Sequence, residues 1–409
     1  MSQDIPFRIG SSVQPLVRSA FGPSGSTTTQ IGNSEPCVDI TALNALALRS
    51  LTALFDAREN LFSRSLTLTK DGFYREKTSR RRTMIALLGL QRLADSGGPV
   101  PIDIAAVRDA TLTDNNWVRS LGDLGLLTWL TAEIAPERLT SLFDEFDFGK
   151  ALESYPDGRQ AHNGGLALFL AGISHAQLAG DGSIPDLTDV AVDVYHLLLE
   201  NQGESGIFGQ SGFARSPQRV FCRRFGTFGD QIYAIYALST FAKAFQVEEP
   251  LASALSCANS IRALQGEKGE WWFLYDKGAC RVVNRYPVFS WHQDGTAPLG
   301  LLALGEATGQ SFQEAIHKGL SWITGLNELG NDLRNLERGL IWDSICPKRP
   351  ATNYWETALS LLNMSRRFRQ VDLHIRQEAR PDHFGWLLYA FGKQGLAMAP
   401  VAAHASARR

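Results

Sequence analysis

Short segments recur at nearly constant spacing, and this recurrence constrains the fold more than any other feature of the chain. Asn201-Gln202 leads to Gly206-Ile207-Phe208 and then to Gly229-Asp230, which opens an apolar run. Leu264-Gln265 leads to Gly269-Glu270-Trp271 and then to Gln293-Asp294, which opens the next. Gln202 and Gln265 stand 63 residues apart, and Asp230 and Asp294 stand 64 apart. A third copy, 62 residues further on, has Trp355-Glu356 opening residues 357–362. Each unit reads as an amphipathic helix, a Gly turn with an aromatic residue, an irregular loop and a more apolar helix. Earlier units, over residues 40–94, 102–134 and 138–179, are shorter and less regular.

One such hairpin cannot bury its apolar helix alone. Six in a closed double ring can, with the apolar helices packed on one another and the amphipathic ones outside. Six hairpins and a last helix over residues 384–391 fill the chain after Asp39, so the expected fold is all-α, an (α/α)6 toroid. The rival, an open helical solenoid, has shorter repeats of roughly 33–47 residues. Loops of about 20 residues or more suit a rim, and loops that long are usually functional. Strand-like alternation is scarce, with residues 280–288 the best short hairpin. Residues 1–36, rich in Ser, Thr, Gly and Gln, read as a loosely ordered arm. Residues 37–396 read as a single toroid domain and residues 397–409 as a disordered tail.

Composition removes several functions. Lys and Arg number 40 against 42 Asp and Glu, a formal charge of −2, so the basic face of a non-specific nucleic-acid binder is absent. No run approaches the ~18–20 apolar residues of a membrane span. The N-terminus lacks a secretory pattern, and five cysteines without a CxxC pair fit a reducing cytoplasm. There is no HxxH, HExxH or clustered Cys/His, and no phosphate loop, so neither metal nor cofactor is expected.

The candidate chemistry sits where the apolar helices begin. Arg80-Arg81-Arg82, His162-Asn163, Asp230-Gln231, Trp291-His292-Gln293-Asp294, Asn353-Tyr354-Trp355-Glu356 and Asp382-His383 stand at those starts. In a double ring the inner helices run in one direction, so their N-termini converge on one rim, the electropositive end of the helix dipoles. Each residue also has a plainer reading. Asp230 suits an N-cap, His162 and His383 suit structural roles, and Trp291 and Trp355 suit the core. The arginine run suits a solvated turn. What separates this set from ordinary caps is that several mouths carry Trp, Tyr or His. The densest stretch is Arg285-Tyr286-Pro287-Val288-Phe289-Ser290-Trp291-His292-Gln293-Asp294, preceded by Trp271 and Trp272. Aromatic faces for sugar faces, carboxylates and amides for hydroxyls, and arginine for a uronate or phosphate make a carbohydrate site.

In this organisation residues 40–395 resemble the α/α-toroid superfamilies of six-hairpin glycosidases and related lyases and epimerases. Locally, Gln265, Gly269 and Trp271 resemble the Gln-Trp repeat of squalene-hopene-type terpene cyclases. Asp294-Gly295-Thr296-Ala297 resembles the tail of their acid motif, Asp-x-Asp-Asp-Thr-Ala, with His292 and Gly295 in place of the flanking acids. That resemblance implies Asp294 as proton donor to an alkene in an apolar cavity.

The polarity of the predicted funnel favours a polyhydroxylated substrate. The expectation is an enzyme acting on an oligosaccharide or polysaccharide as glycosidase, lyase or epimerase, with Asp294, Glu356 and His292 as catalytic groups. Trp291, Gln293, Tyr286, Arg285, Trp271, Trp272, Trp355, Asp230, His162, Asn163 and Arg81 would bind the substrate. The alternatives are a class II terpene-cyclase-like enzyme and a non-catalytic toroid that binds a glycan or a protein.

Overall fold

The helices sort by how far around their circumference they are apolar. In this computed structural model, which describes residues 38–154, 162–180, 184–210, 223–348 and 372–393, outer and inner helices alternate along the chain. Outer α1 (Ile40–Leu54) precedes inner α2 (Arg80–Asp95), and outer α3 (Ile104–Leu112) precedes inner α4 (Leu121–Ile134). The short α5 (Leu139–Glu145) and α6 (Phe148–Glu153) precede inner α7 (Asn163–Ala179). Then come outer α8 (Thr188–Glu200) and inner α9 (Phe228–Phe245), and outer α10 (Glu249–Ala263) and inner α11 (Ala297–Thr308). Outer α12 (Gln313–Ile323) and inner α13 (Pro381–Phe391) complete the set. A π-turn, His292–Thr296, leads into α11.

The ring is closed. α2 packs on α4, α4 on α7, α7 on α9, α9 on α11, α11 on α13, and α13 back on α2. Helices α4 and α7 are buried on nearly every side, as members of an inner layer must be. They approach so closely that a Cβ on Gly125 or Gly172 would collide with the backbone of the other helix. The amphipathic outer helices shield this ring: α1 lies on α13, α3 on α2, α8 on α7, and α10 on α9. This is the (α/α)6 toroid that the repeat predicts.

Two expectations need correction. The last helix is not an addition to six complete hairpins. Pro381–Phe391 itself occupies the sixth inner position, between α11 and α2. Residues 357–362, predicted for that place, lie outside the described residues. The short hairpin over 280–288 is also displaced. Arg281–Asn284 pairs back onto Leu274–Asp276, whereas Val288–Phe289 joins Ser344–Pro347 in another sheet.

The recurring Gln-Gly-aromatic turn has a mechanical role. At the end of α8, the Gln202 side-chain amide donates to Gly206 O (2.9 Å) and to Ser253 O of α10 (3.0 Å). At the end of α10, Gln265 donates to Gly269 O (3.1 Å) and to Ala315 O of α12 (2.9 Å). Each glutamine therefore staples one outer helix to the next. Gly206 (φ 82°) and Gly269 (φ 97°) take left-handed backbone, and a Cβ there would strike the backbone of the following outer helix. The same stretch that resembles the terpene-cyclase repeat is accounted for by this staple.

Candidate functional site

The six inner helices start at one rim, because N-terminal turns touch N-terminal turns all the way round. Arg81 of α2 pairs with Asp123 of α4. Gly122 of α4 lies against Gly165 of α7. Gly164 N of α7 donates to Asp230 Oδ1 of α9 (3.2 Å). The Phe228 ring of α9 sits 4.8 Å from the ring of His292, in the π-turn before α11. Asp294 of that turn meets His383 Nε2 of α13 at 2.7 Å. Asp382 of α13 faces Arg82 of α2 at 3.6 Å, which closes the circle.

Several predicted site residues turn out to build the rim. Ser79, Ser120, His162 and Thr227 each cap an inner helix with a side-chain acceptor. His162 does so through Nδ1, which accepts from Gly165 N (3.0 Å) and must therefore be unprotonated. Asp230 completes a capping box with Thr227, and its second oxygen holds the start of α7. Burial pushes its carboxyl up, against the downward pull of the Thr227 hydrogen bonds. Asn163 is fully buried, donates to Asp230 O (3.0 Å) and accepts from Asn201.

Gln293, oriented to satisfy both neighbours, donates to Gly269 O (2.9 Å) and accepts from Trp271 N (3.2 Å). Gln231 does the same for Phe208, accepting from its N at 2.7 Å and donating to its O at 2.8 Å. The two glutamines are thus the equivalent residues, and His292, not Asp294, stands at the place of Asp230. Asp294 lies one residue beyond Gln293, inside the π-turn and fully buried.

The aromatic predictions divide. Trp271 is wholly buried and stacks on Phe228 at 5.2 Å, so it belongs to the core and not to a sugar platform. Trp272 is also buried, with the Arg285 guanidinium 5.1 Å from its ring and the Tyr286 ring edge-on at 6.1 Å. Arg285 is exposed and Tyr286 half-buried, and burial together with Glu328 raises the Tyr286 phenol. Trp291 remains partly open at the rim, with Arg380 5.5 Å from its ring. Its indole N–H has no partner among the described residues. Trp355 and Glu356 lie outside the described residues.

The electrostatics separate three buried groups. Burial raises the Asp294 carboxyl against the pull of His383. Its Oδ2 has no partner among the described residues. Burial, helped by Arg380 and His383, lowers His292 well below the usual histidine range. His292 Nδ1 is likewise unpartnered among the described residues. Asp382 behaves oppositely: burial would raise it, but Arg380 (2.8 Å) and Arg82 win and hold it at about 2. Arg380 also faces Asp343 at 3.6 Å. No cluster of three or more His, Cys, Asp or Glu able to hold a metal occurs among the described residues. No helix among them is long and apolar enough to cross a membrane.

Sequence reasoning missed Asp123 and Arg380, which lie at the rim, Tyr233, whose ring lies beside Gly164 at the start of α7, and the pairing of His383 with Asp294. Asp123 and Arg380 carried a usable signal, a charge within three residues of an inner-helix cap. Tyr233 had none.

No protein-family model matches the chain, and no curated protein matches it in sequence. Solved structures match in fold. A possible member of the GH105 family from Klebsiella pneumoniae subsp. pneumoniae MGH 78578 is 12% identical, with a TM-score of 0.55, over 91% of this chain and 96% of that one. A sugar epimerase from a ruminal bacterium is 10% identical, with a TM-score of 0.60, over 87% and 99%. A cellobiose 2-epimerase from Bacillus thermoamylovorans B4167 is 11% identical, with a TM-score of 0.56, over 86% and 99%. The chain therefore has the six-hairpin, glycosidase-like toroid fold.

Proposed function

We propose that this protein is a carbohydrate-active enzyme that binds an oligosaccharide at the inner-helix rim and acts on it by acid–base proton transfer. One observation carries the reading: four of the six helix starts, distant in sequence, gather Arg81, Asp123, Trp291, Asp294, Arg380, Asp382 and His383 around one rim. Trp291 offers a partly open aromatic face, and the arginine–carboxylate pairs suit hydroxyls or a uronate carboxylate. Asp294, whose carboxyl burial pushes up and which is joined to His383, is the proton donor in this reading. Glu356 is the second carboxylate, and His292 a neutral base or positioning group. Two of the proteins similar in fold are a sugar epimerase and a cellobiose 2-epimerase, which supports the same class. A rim this rich in charge does not suit a carbocation, so the terpene-cyclase alternative ranks lower.

A panel of neutral and uronate-containing oligosaccharides tests this, with three readouts. New reducing ends report hydrolysis, unsaturated products report elimination, and deuterium uptake from solvent reports epimerisation. One of the three should appear with the wild-type protein and fall sharply in Asp294→Asn and Glu356→Gln. The complete burial of Asp294 favours a second reading, a toroid that binds glycans without turning them over. Retention of a glycan with no product in any assay would select it.

A further inference from the structure

A small sheet links the rim to the most exposed large aromatic residue among the described residues. Strand Glu378–Ala379 runs straight into Arg380 and α13. It pairs with Leu66–Thr69, which pairs in turn with Gly72–Arg75. The register places Glu378 opposite Thr67, and Thr67 opposite Tyr74. Residues directly opposite in antiparallel strands share a face. Glu378, Thr67 and Tyr74 therefore form one row across the sheet. At its inner end, Glu378 lies within electrostatic reach of Asp343, Arg380 and Arg82, the charged groups of the rim. At its outer end, roughly 10 Å away across two strand spacings, Tyr74 is 61% exposed.

The neighbouring row is different. Phe73 lies opposite Leu68 on the other face, is 42% exposed, and has the Arg338 guanidinium 5.3 Å from its ring. One aromatic is thus partnered by a cation, and the other stands open on the face that continues the rim.

The geometry points to Tyr74 as an outlying platform for a sugar ring, so that the substrate is an oligosaccharide long enough to span from the rim to the hairpin. This rests on the carbohydrate reading proposed above. An aromatic face stacks on the apolar face of a pyranose while the phenolic O–H reaches a hydroxyl. Tyr74 lies far from Asp294 in this scheme and contributes affinity alone.

The test measures binding of two-residue and six-residue gluco-, manno- and uronate-oligosaccharides to the wild-type protein, Tyr74→Ala and Tyr74→Phe. The expected result is about five- to tenfold weaker binding of a six-residue ligand in Tyr74→Ala, partial recovery in Tyr74→Phe, and no change for two-residue ligands. Phe73→Ala, on the opposite face, should leave both lengths unaffected. Equal losses for both lengths, or no loss for six residues, would overturn the platform while leaving the carbohydrate reading intact. If the wild-type protein binds none of these ligands, the carbohydrate reading fails and the platform with it.

Discussion

The inner ring carries a polar cluster at each end, and the two are built on opposite principles. Toward the C-terminal ends of the helices, Glu133 of α4 accepts from Trp129 Nε1 (2.9 Å) and from Tyr389 OH, and lies 3.2 Å from His175 Nδ1. His175 Nε2 meets Tyr236 OH at 2.8 Å, and Tyr236 OH meets Tyr389 OH at 3.3 Å. Trp129 stacks flat on His175 at 4.6 Å and on Tyr236 at 4.8 Å, while Arg92 sits over the Tyr389 ring. Five inner helices thus satisfy one another's polar groups. At the rim, Trp291 Nε1, His292 Nδ1 and Asp294 Oδ2 have no partner among the described residues. A buried polar group without a partner is costly. The far end ties five inner helices together, and the rim is where the proposed ligand would bind.

Substitutions should separate the two ends. Asp294→Asn keeps the shape and an acceptor for His383 but removes the acid. Turnover should fall about 10²- to 10⁴-fold with the unfolding midpoint nearly unchanged. Undiminished turnover would strike Asp294 from the mechanism. Glu133→Ala should do the reverse, leaving Trp129, Tyr389 and His175 without their acceptor. A stability loss of roughly 2–4 kcal/mol in denaturant is expected, with activity per folded molecule retained.

Acid should also distinguish the ends. His175 is lowered to about 4 by burial, despite Glu133 beside it. The unfolded chain takes up this proton near pH 6.5, and the folded protein refuses it until about pH 4. Stability should therefore drop as pH falls through that window, by up to roughly 3 kcal/mol, and His175→Gln should flatten the drop. Asp382, held at about 2, has the ordinary carboxylate behaviour. Its contribution is complete above about pH 4 and lost as pH falls toward 2, and Asp382→Asn should remove only that lower slope. A smaller effect is expected from the staples. Gln265→Ala should cost about 1–2 kcal/mol without altering ligand binding, since the amide ties α10 to α12 and faces no site.

The ring was legible in the sequence because burial imposes composition: residues 84–93 of α2 and 166–173 of α7 read as largely apolar, and the glutamine staples repeat at fixed spacing. The site was less legible, for three reasons. Equal spacing equated Asp230 with Asp294, whereas hydrogen bonding equates Gln231 with Gln293, and no spacing reveals that Asp294 falls inside a π-turn. The sixth unit breaks the period: its inner helix begins at Pro381, well beyond the place to which the 62-residue step points. Finally, residue type does not distinguish a cap from a ligand. Asp230 and His162 look like site residues and serve as caps, while the Glu133–His175–Tyr389 network leaves no local pattern because its members come one from each helix.

Amide hydrogen exchange, with and without a six-residue oligosaccharide that the protein retains, compares the two ends in one measurement. Slowed exchange in residues 80–83, 120–123, 289–295 and 380–383, with residues 129–134 and 173–178 unchanged, is the expected result. Protection at residues 129–134 and 173–178, with the rim unchanged, would contradict the assignment of the ligand to the inner-helix starts.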